Sequence, residues 1–298
     1  MGATILAMLR LLIAFLLACH AATVLAQVGD PRKPILMIVP LQAASAVDNA
    51  ALIVAQKMAD NMGQPIVIEN VPGAAGLIGA ERVAKAAPDG YIIGGFNDSI
   101  MTMLPNVHVK MPWDILKDFE PVSLVASMEW ALIASPAGSY RNAGDLIESA
   151  KAKPGTLNYS SGGNGSPQHV ATGQVDANFS GLPTVYTLIK SGKLRAIGIA
   201  SAKRSAVLPD VPTVSEFLPG FEFNSAFSIV VPAGTPRDIV ARLNAEVAKA
   251  VAAPEVREKL VAQGFSVVGS SPEDLFKATR EQLERYGKLF KQVGIKAE

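Results

Sequence analysis

The chain of 298 residues carries a formal net charge of +1 and is 49% hydrophobic. Its length suits one large domain or two ordinary ones, and its balanced charge gives no electrostatic basis for binding nucleic acid. The single cysteine, Cys19, excludes an internal disulfide. The three histidines, His20, His108 and His169, are too scattered for a histidine metal site. We therefore expect neither a metal nor a cofactor.

The first 26 residues are typical of a secretory signal peptide. Arg10 precedes the apolar run Leu11–Cys19, which is too short to span a bilayer, and Ala26 ends the segment with a small residue. This pattern predicts cleavage after Ala26 and an exported, soluble mature protein. A second interpretation stays open, because the residues before Cys19 resemble a lipoprotein box in which Cys19 would be lipidated, although Leu17 is not the usual small residue there.

Strand and helix patterns alternate after the leader. The predicted strands are Ile35–Val39, Ile66–Glu69 and Tyr91–Phe96, and the helices between them run from Ser45 to about Met62 and up to about Ala87. This order predicts a parallel sheet with right-handed crossovers. Ligands of such sheets bind beyond the carboxyl ends of the strands. Here those ends are Pro40–Ser45, Asn70–Gly76 and Phe96–Thr102.

Glycines at positions 73, 76 and 79 fall in the second of these loops and in the helix after it. Their spacing is not that of the dinucleotide fingerprint G-x-G-x-x-G. We expect Gly73, Gly76 and Gly79 to allow close packing of helix on strand instead.

A glycine-rich stretch, Asn158–Val170, lies between an extended run, Thr156–Ser160, and a helix start at Pro167. Such a turn can direct several backbone N–H groups and the positive end of a helix dipole at one anion, for example a carboxylate. It can equally be a tight turn that uses glycine for positive φ. The candidate ligand-binding residues in it are Ser161, Gly162, Gly163, Gly165, Ser166 and His169.

The rest of the chain predicts a second α/β region and a return to the first. Extended apolar runs recur at 121–135, 194–201 and 223–232, and three helices with apolar stripes close the sequence. In the last helix the predicted buried stripe is Phe276, Thr279, Leu283, Tyr286 and Phe290. The simplest assembly has domain 1 at residues 27–103 plus 224–298 and domain 2 at residues 104–223, with a hinge and a ligand cleft between them.

Motifs in this order resemble the Bug-type substrate-binding proteins of tripartite tricarboxylate transporters. The matching pieces include Gly63-Gln64-Pro65-Ile66-Val67-Ile68-Glu69-Asn70, Ala84-Lys85-Ala86-Ala87-Pro88-Asp89-Gly90-Tyr91, Asp118-Phe119-Glu120-Pro121-Val122-Ser123-Leu124, Gly163-Asn164-Gly165-Ser166-Pro167 and Leu208-Pro209-Asp210-Val211-Pro212-Thr213. Together they cover nearly the whole mature chain.

The resemblance implies a two-domain α/β periplasmic binding protein fold of type II-like organisation. It further implies a monomer that grips a small carboxylate between loops of both domains, largely through backbone amides and water, and that delivers it to a membrane permease. Besides the glycine-rich turn, the candidate ligand-binding residues are Ser45, Asp48, Asn97 and Ser180.

Two loops depart from the family pattern. The first loop usually reads Pro-Gly-Gly, followed by a small residue and, after one more, an aspartate. Here Asp48 is kept but Ala43 and Ala44 replace the glycines, and alanine disfavours positive φ, so we expect the loop amides to be placed differently. In the third loop Asp98 is an unusual acidic residue that would repel a carboxylate if it faced the cleft. We expect it to cap the following turn instead.

The largest departure is a gap. Between Ala171 and Gly173 the family normally carries one βαβ unit, on the order of 30 residues. We expect its absence to remove a central strand of the middle sheet and a loop that lines the cleft, and so to leave unpaired backbone and an incomplete core.

Three other functions are open at this point. Ser166, His169 and Asp176 suggest a hydrolase, but the nucleophile motif G-x-S-x-G is absent and we do not predict an enzyme. A receptor that signals without transport, and a degenerate copy with weak or lost binding, have the same sequence features as a transport protein.

Overall fold

The computed structural model describes residues 33–160, 170, 173–292, 294, 295 and 297. The predicted leader and the glycine-rich turn at residues 161–169 lie outside the described residues. Within these described ranges, no helix has the length and apolar character needed to cross a bilayer.

Strands and helices alternate along the described chain. The strands are β1 (Ile35–Val39), β2 (Ile66–Asn70), β3 (Ile92–Asn97), β4 (Phe119–Ala134), β5 (Tyr159–Ser160), β6 (Ala177–Gly181), β7 (Arg195–Ile199), β8 (Asn224–Pro232) and β9 (Phe265–Val267). The helices are α1 (Ala46–Met62), α2 (Leu77–Ala84), α3 (Leu104–Val107), α4 (Ala143–Ala152), α5 (Leu182–Lys190), α6 (Arg237–Ala252), α7 (Pro254–Ala262) and α8 (Pro272–Gln292). The predicted α/β class is confirmed.

The strands form one hydrogen-bonded path in the order β2-β1-β3-β8-β4-β6-β5, with β7 and β9 also paired to β4. Strands β1, β2 and β3 are parallel, as the β-α-β-α-β order predicts, and β8 is antiparallel to β3. Strand β4 belongs to two groups of strands. Its residues 119–129 pair with β8, and its residues 130–134 pair with β6 and β7.

Helices cover both faces of the first group of strands. Alternate residues of β1 point to opposite faces. Met37 and Val39 pack in a core with α1, α6 and α7, whereas Ile38 packs in a separate core with α2 and α8. Two further cores lie on the two faces of the second group, around Ile133 and around Leu132. Both groups are therefore three-layered.

The last helix buries a slightly different stripe from the predicted one. Leu275, Thr279 and Tyr286 are buried, but Phe276 is 39% exposed, so its predicted burial is wrong. The stripe begins one residue earlier in the chain, because α8 turns Leu275 and not Phe276 toward the core that contains Phe119 and Val230.

Candidate functional site

Three loops lie side by side at the carboxyl ends of the parallel strands. Val39, the last residue of β1, pairs with Asn70, the last residue of β2, and β3 runs alongside β1 on its other side. The loops at 40–45, 71–76 and 98–103 therefore leave one edge of the sheet, where a doubly wound fold binds its ligand.

The first loop is fastened by its own side chains. Ser45 caps α1 by accepting the amide N–H of Asp48 at 3.2 Å. In a capping box the carboxylate of Asp48 would in turn accept the backbone N–H of Ser45, and here it does not. It accepts the N–H of Ala44 at 2.7 Å on one oxygen and the side-chain amide of Asn70 at 2.8 Å on the other. Asp48 thus links the first loop to the end of β2, and it is only 3% exposed.

Alanines in the first two loops adopt the left-handed backbone conformation. Ala44 has φ +62°, Ala74 +45° and Ala75 +56°, and among the described residues these are the only non-glycine residues with positive φ. All three are exposed. The alanine in the first loop therefore takes up a glycine-like conformation, which is strained for an L residue and is typically found at functional sites.

Close packing supports these loops from behind. A Cβ built on Gly79 would lie 2.7 Å from the carbonyl oxygen of Val71 and 2.9 Å from Cβ of Pro40. One on Gly76 would lie 2.9 Å from Cδ1 of Ile100. The predicted packing role is confirmed at Gly76 and Gly79, since α2 can approach the loops only because these side chains are absent.

The third loop holds Asn97 and Asp98. Asn97 accepts the N–H of Ile100 at 3.2 Å and so shapes the turn after β3. Asp98 makes no side-chain cap to that turn, so its predicted capping role is wrong. The side chain is buried instead, 3% exposed, and it accepts a hydrogen bond from the backbone of Ala226 in β8.

Burial raises the pKa of the Asp98 carboxyl to about 8, although the bonds from the backbone of Ala226 and from its own backbone favour the ionised form. Burial and then the charge of Asp98 raise the pKa of the nearby Tyr286 to about 12. At neutral pH the Asp98 carboxyl is mostly protonated. It therefore adds little of the repulsion that an acidic residue at this edge would otherwise exert on an anion.

The predicted residues of the second group of strands are only partly described. Ser180 is buried in β6, and its hydroxyl donates to the side-chain oxygen of Asn178 at 3.1 Å. The carboxylate of Asp176 accepts the N–H of Asn158 at 2.8 Å. Ser161, Gly162, Gly163, Gly165, Ser166 and His169 lie outside the described residues.

Strand pairing around β6 bears on the expected effect of the missing βαβ unit. Strand β5 pairs directly with β6, through Tyr159 with Ala177 and Ser160 with Asn178, and β6 pairs with β4 on its other side. In the first group the strand that follows β1 in sequence lies outside it, in the order β2-β1-β3. By the same order, a strand after β5 would lie outside β5. By this analogy the missing strand would lie at the edge of the sheet, and β6 has β4 on one side and, at Ala177 and Asn178, β5 on the other.

Strands β4 and β8 run side by side between the two groups. Trp130 of β4 donates its indole N–H to the hydroxyl of Ser225 at 3.0 Å, and its ring meets Phe223 edge to face at 5.2 Å. The side-chain oxygen of Asn224 is buried without a hydrogen-bond partner among the described residues.

Sequence reasoning missed Asn70 as a site residue. Its signal is its position, because it ends the strand next to the one that leads to Asp48. Among the described residues no group of three or more histidine, cysteine, aspartate or glutamate side chains could hold a metal ion.

Comparison with known sequences gives a consistent result. The family described as "Tripartite tricarboxylate transporter family receptor" matches the chain in two parts, residues 50–175 and 168–295. A relative from Pseudomonas sp. strain P51, the "UPF0065 protein in tcbD-tcbE intergenic region", is 32% identical over 97% of this chain and 95% of its own length. That alignment extends over 320 positions, more than the 298 residues of the chain, so the relative carries residues that this chain lacks.

Two similar solved structures come from Rhodopseudomonas palustris. MatC (Rpa3494) with bound malate is 29% identical, with a TM-score of 0.73 over 86% of this chain and 98% of that one. Rpa4515 with adipate is 28% identical, with a TM-score of 0.77 over 89% of this chain and 98% of that one.

Proposed function

Since the chain belongs to the tripartite tricarboxylate transporter receptor family, we propose that it is an extracytoplasmic solute-binding protein that captures a small carboxylate. The observation that carries the proposal is the agreement between the family, the malate and adipate held by two similar structures, and the polar loop edge of this chain. Both of those ligands are dicarboxylates, and a dicarboxylate is the ligand class we propose here.

The proposed ligand site is a cleft between two lobes. The first lobe comprises residues 27–103 and 224–298, and the second comprises residues 104–223. Strands β4 and β8 support this division, because β4 pairs in both groups of strands and β8 returns the chain to the first. Bending of the paired segments near Trp130 and Ser225 would open and close the cleft.

Backbone amides are the proposed carboxylate donors in the first lobe. The amide N–H of Asp48 is bonded to the Ser45 cap, but those of Ala46 and Val47 precede the first intrahelical bonds of α1. They point off the positive end of a 17-residue helix, which favours a negative charge there. Ser45, Asp48 and Asn97 shape this edge, and Ser180 with the glycine-rich segment 161–169 is the proposed counterpart in the second lobe.

The shortened second lobe is consistent with a folded binding protein. Strand β5 pairs with β6 at Ala177 and Asn178, and two apolar cores flank this group of strands. This favours a binding-competent member over the degenerate copy.

We also propose export through the leader, a monomeric state, delivery of the ligand to a membrane permease, and no catalytic role. The members of this family are described as transporter receptors. The hydrolase alternative has less support, because the nucleophile motif G-x-S-x-G is absent and one carboxylate oxygen of Asp176 accepts the backbone N–H of Asn158.

Thermal unfolding with L-malate and adipate tests the proposed function. A ligand at 100 times its Kd stabilises the folded state by about 2.7 kcal/mol, which raises Tm by about 5 to 10 °C for a protein of this size. We expect at least one of the two acids to produce such a shift in a single cooperative transition. Their dimethyl esters, which lack the charges, are the matched controls and should produce none.

A cooperative melt that no carboxylate shifts would contradict carboxylate binding. A broad transition without a cooperative midpoint would instead contradict the folding of the shortened second lobe.

A further inference from the structure

We infer that Asp48 is a positioning residue: its carboxylate holds the first loop in a conformation that Ala44 disfavours, and so it sets ligand affinity without touching the ligand. The inference rests on the proposed function, which it deepens by assigning the role of one residue at the same site.

Both oxygens of Asp48 are already used inside the protein. One accepts the N–H of Ala44 at 2.7 Å, and the other accepts the side-chain amide of Asn70 at 2.8 Å. The residue is 3% exposed. A negative side chain so placed cannot attract a carboxylate, but it can fix the two backbone segments that it joins.

The two backbone segments joined by Asp48 belong to the loops that contain strained residues. The alanines with positive φ at positions 44, 74 and 75 all lie in the loops after β1 and β2, and the Asp48–Asn70 bond ties the first of these loops to the strand that leads into the second. An exposed alanine gains little from packing that could offset the strain of this conformation. The bond from the Ala44 N–H to a buried carboxylate is a direct source of that compensation, since charge-assisted hydrogen bonds are strong.

A change in the conformation of Ala44 would move the proposed ligand donors, the N–H groups of Ala46 and Val47, because they follow it within three residues. Ser45 follows Ala44 in an extended conformation, with φ −66° and ψ 159°, and from there it caps α1. If Ala44 relaxed to a right-handed conformation, the loop would redirect Ser45 and the N–H groups of Ala46 and Val47. Affinity would fall although no group in contact with the ligand had changed.

A double-mutant cycle separates positioning from direct contact. Ala44 and Asn70 donate to different oxygens of Asp48, and in D48N an NH2 group, which cannot accept, replaces one of these oxygens. We expect D48N to weaken binding of L-malate or adipate at least tenfold. A44G removes the strain that Asp48 offsets, so in the A44G background the same substitution should cost threefold or less. An equal factor in both backgrounds would overturn the proposal, because it would mean that Asp48 acts independently of the strain at Ala44.

Hydrogen exchange gives a readout that needs no ligand. The amide of Ala44 should exchange at least tenfold faster in D48N than in the wild type. D60N, the same change at an exposed position of the same helix, should leave it unaltered. Unchanged exchange at Ala44 in D48N would overturn the proposal. If the wild type binds neither acid, the proposed ligand class fails while exchange still decides the role of Asp48.

Two further variants cover a D48N protein that fails to fold. N70A removes only one of the two bonds and should speed exchange at Ala44 at least threefold; no change would count against the proposal. A44G should leave Tm unchanged or raise it, whereas Ala248→Gly, at an exposed position within α6, should lower it. An equal loss of Tm in the two glycine variants would show that Ala44 is not strained.

Discussion

Replacing Asp98 by asparagine is expected to stabilise the protein at alkaline pH and to leave its stability at acid pH nearly unchanged. Asparagine resembles the protonated carboxyl in shape, is neutral at every pH, and keeps an oxygen that can accept the N–H of Ala226. The wild-type side chain is buried, so its ionised form is costly. The substitution removes only that cost.

The direction of the pH dependence follows from proton linkage. The pKa of Asp98 is about 8 in the folded protein and near its ordinary value of 3.8 in the unfolded chain. Between these values the folded state holds a proton that the unfolded state has lost, so wild-type stability falls as the pH rises. The stability difference between D98N and the wild type should therefore grow by up to about 1.4 kcal/mol per pH unit from about pH 4 to about pH 8, and then level off.

Urea unfolding of the two proteins at pH 5, 6.5 and 8 measures this difference. D60N, with the same substitution at an exposed residue, is the control and should follow the wild type at every pH. A D98N difference that stays constant across the three values would show that the Asp98 carboxyl is not held neutral by burial. Among the described residues, the charge of Asp98 raises the pKa of Tyr286, to about 12, and so outside the window.

Much of the fold could be predicted because its signals are local. The bounds of β1 agree with the predicted strand. Ser45 caps the start of α1, and Gly63 follows its last residue in the left-handed conformation that glycine favours there. The stripe of α8 was one residue out of phase at Phe276 because a helical pattern alone does not fix which of two adjacent apolar residues faces the core.

Strand order and burial were harder to predict from the sequence, because they depend on contacts between residues that are distant in the chain. The gap after Ala171 was expected to remove a central strand, but the pairing of β5 with β6 cannot be read from either segment alone. Asp98 was expected to cap a turn, because nothing near it in sequence shows that β8 and α8 will bury it. Asn70 was missed as a site residue for the same reason, since its partner Asp48 precedes it by 22 residues.

Gly264→Ala is expected to lower stability through a contact between the two groups of strands. Gly264 has φ +73°, and a Cβ built on it would lie 1.9 Å from Cγ of Pro183 and 2.7 Å from its Cβ. Pro183 is in the first turn of α5, directly after β6, whereas Gly264 precedes β9, which pairs with residues 126–128 of β4, within the part of β4 that pairs with β8. The proline ring is rigid, so one of the two segments has to move.

The expected loss combines two effects. A left-handed alanine costs about 1 kcal/mol, and forced overpacking typically adds 1 to 3 kcal/mol. The sum, about 2 to 4 kcal/mol, lowers Tm by about 4 to 16 °C for a protein of this size. Gly192→Ala isolates the first effect, because Gly192 has φ +72° and nothing within 4 Å of the added Cβ. An equal loss of Tm in both variants would mean that Pro183 moves away from the added Cβ without lowering stability.

The same variant bears on the proposed cleft. Gly181, the last residue of β6, lies against Met128 of β4, so β6, α5 and the turn at Gly264 meet where the two groups of strands join. Pushing Pro183 away displaces the segment that follows Ser180, on the side proposed to face the ligand. We therefore expect Gly264→Ala to weaken malate or adipate binding as well as to lower Tm, while Gly192→Ala lowers Tm slightly and leaves affinity alone. Unchanged affinity in a destabilised Gly264→Ala protein would place the contact outside the motion that closes the cleft, and the hinge would then have to lie elsewhere along β4 and β8.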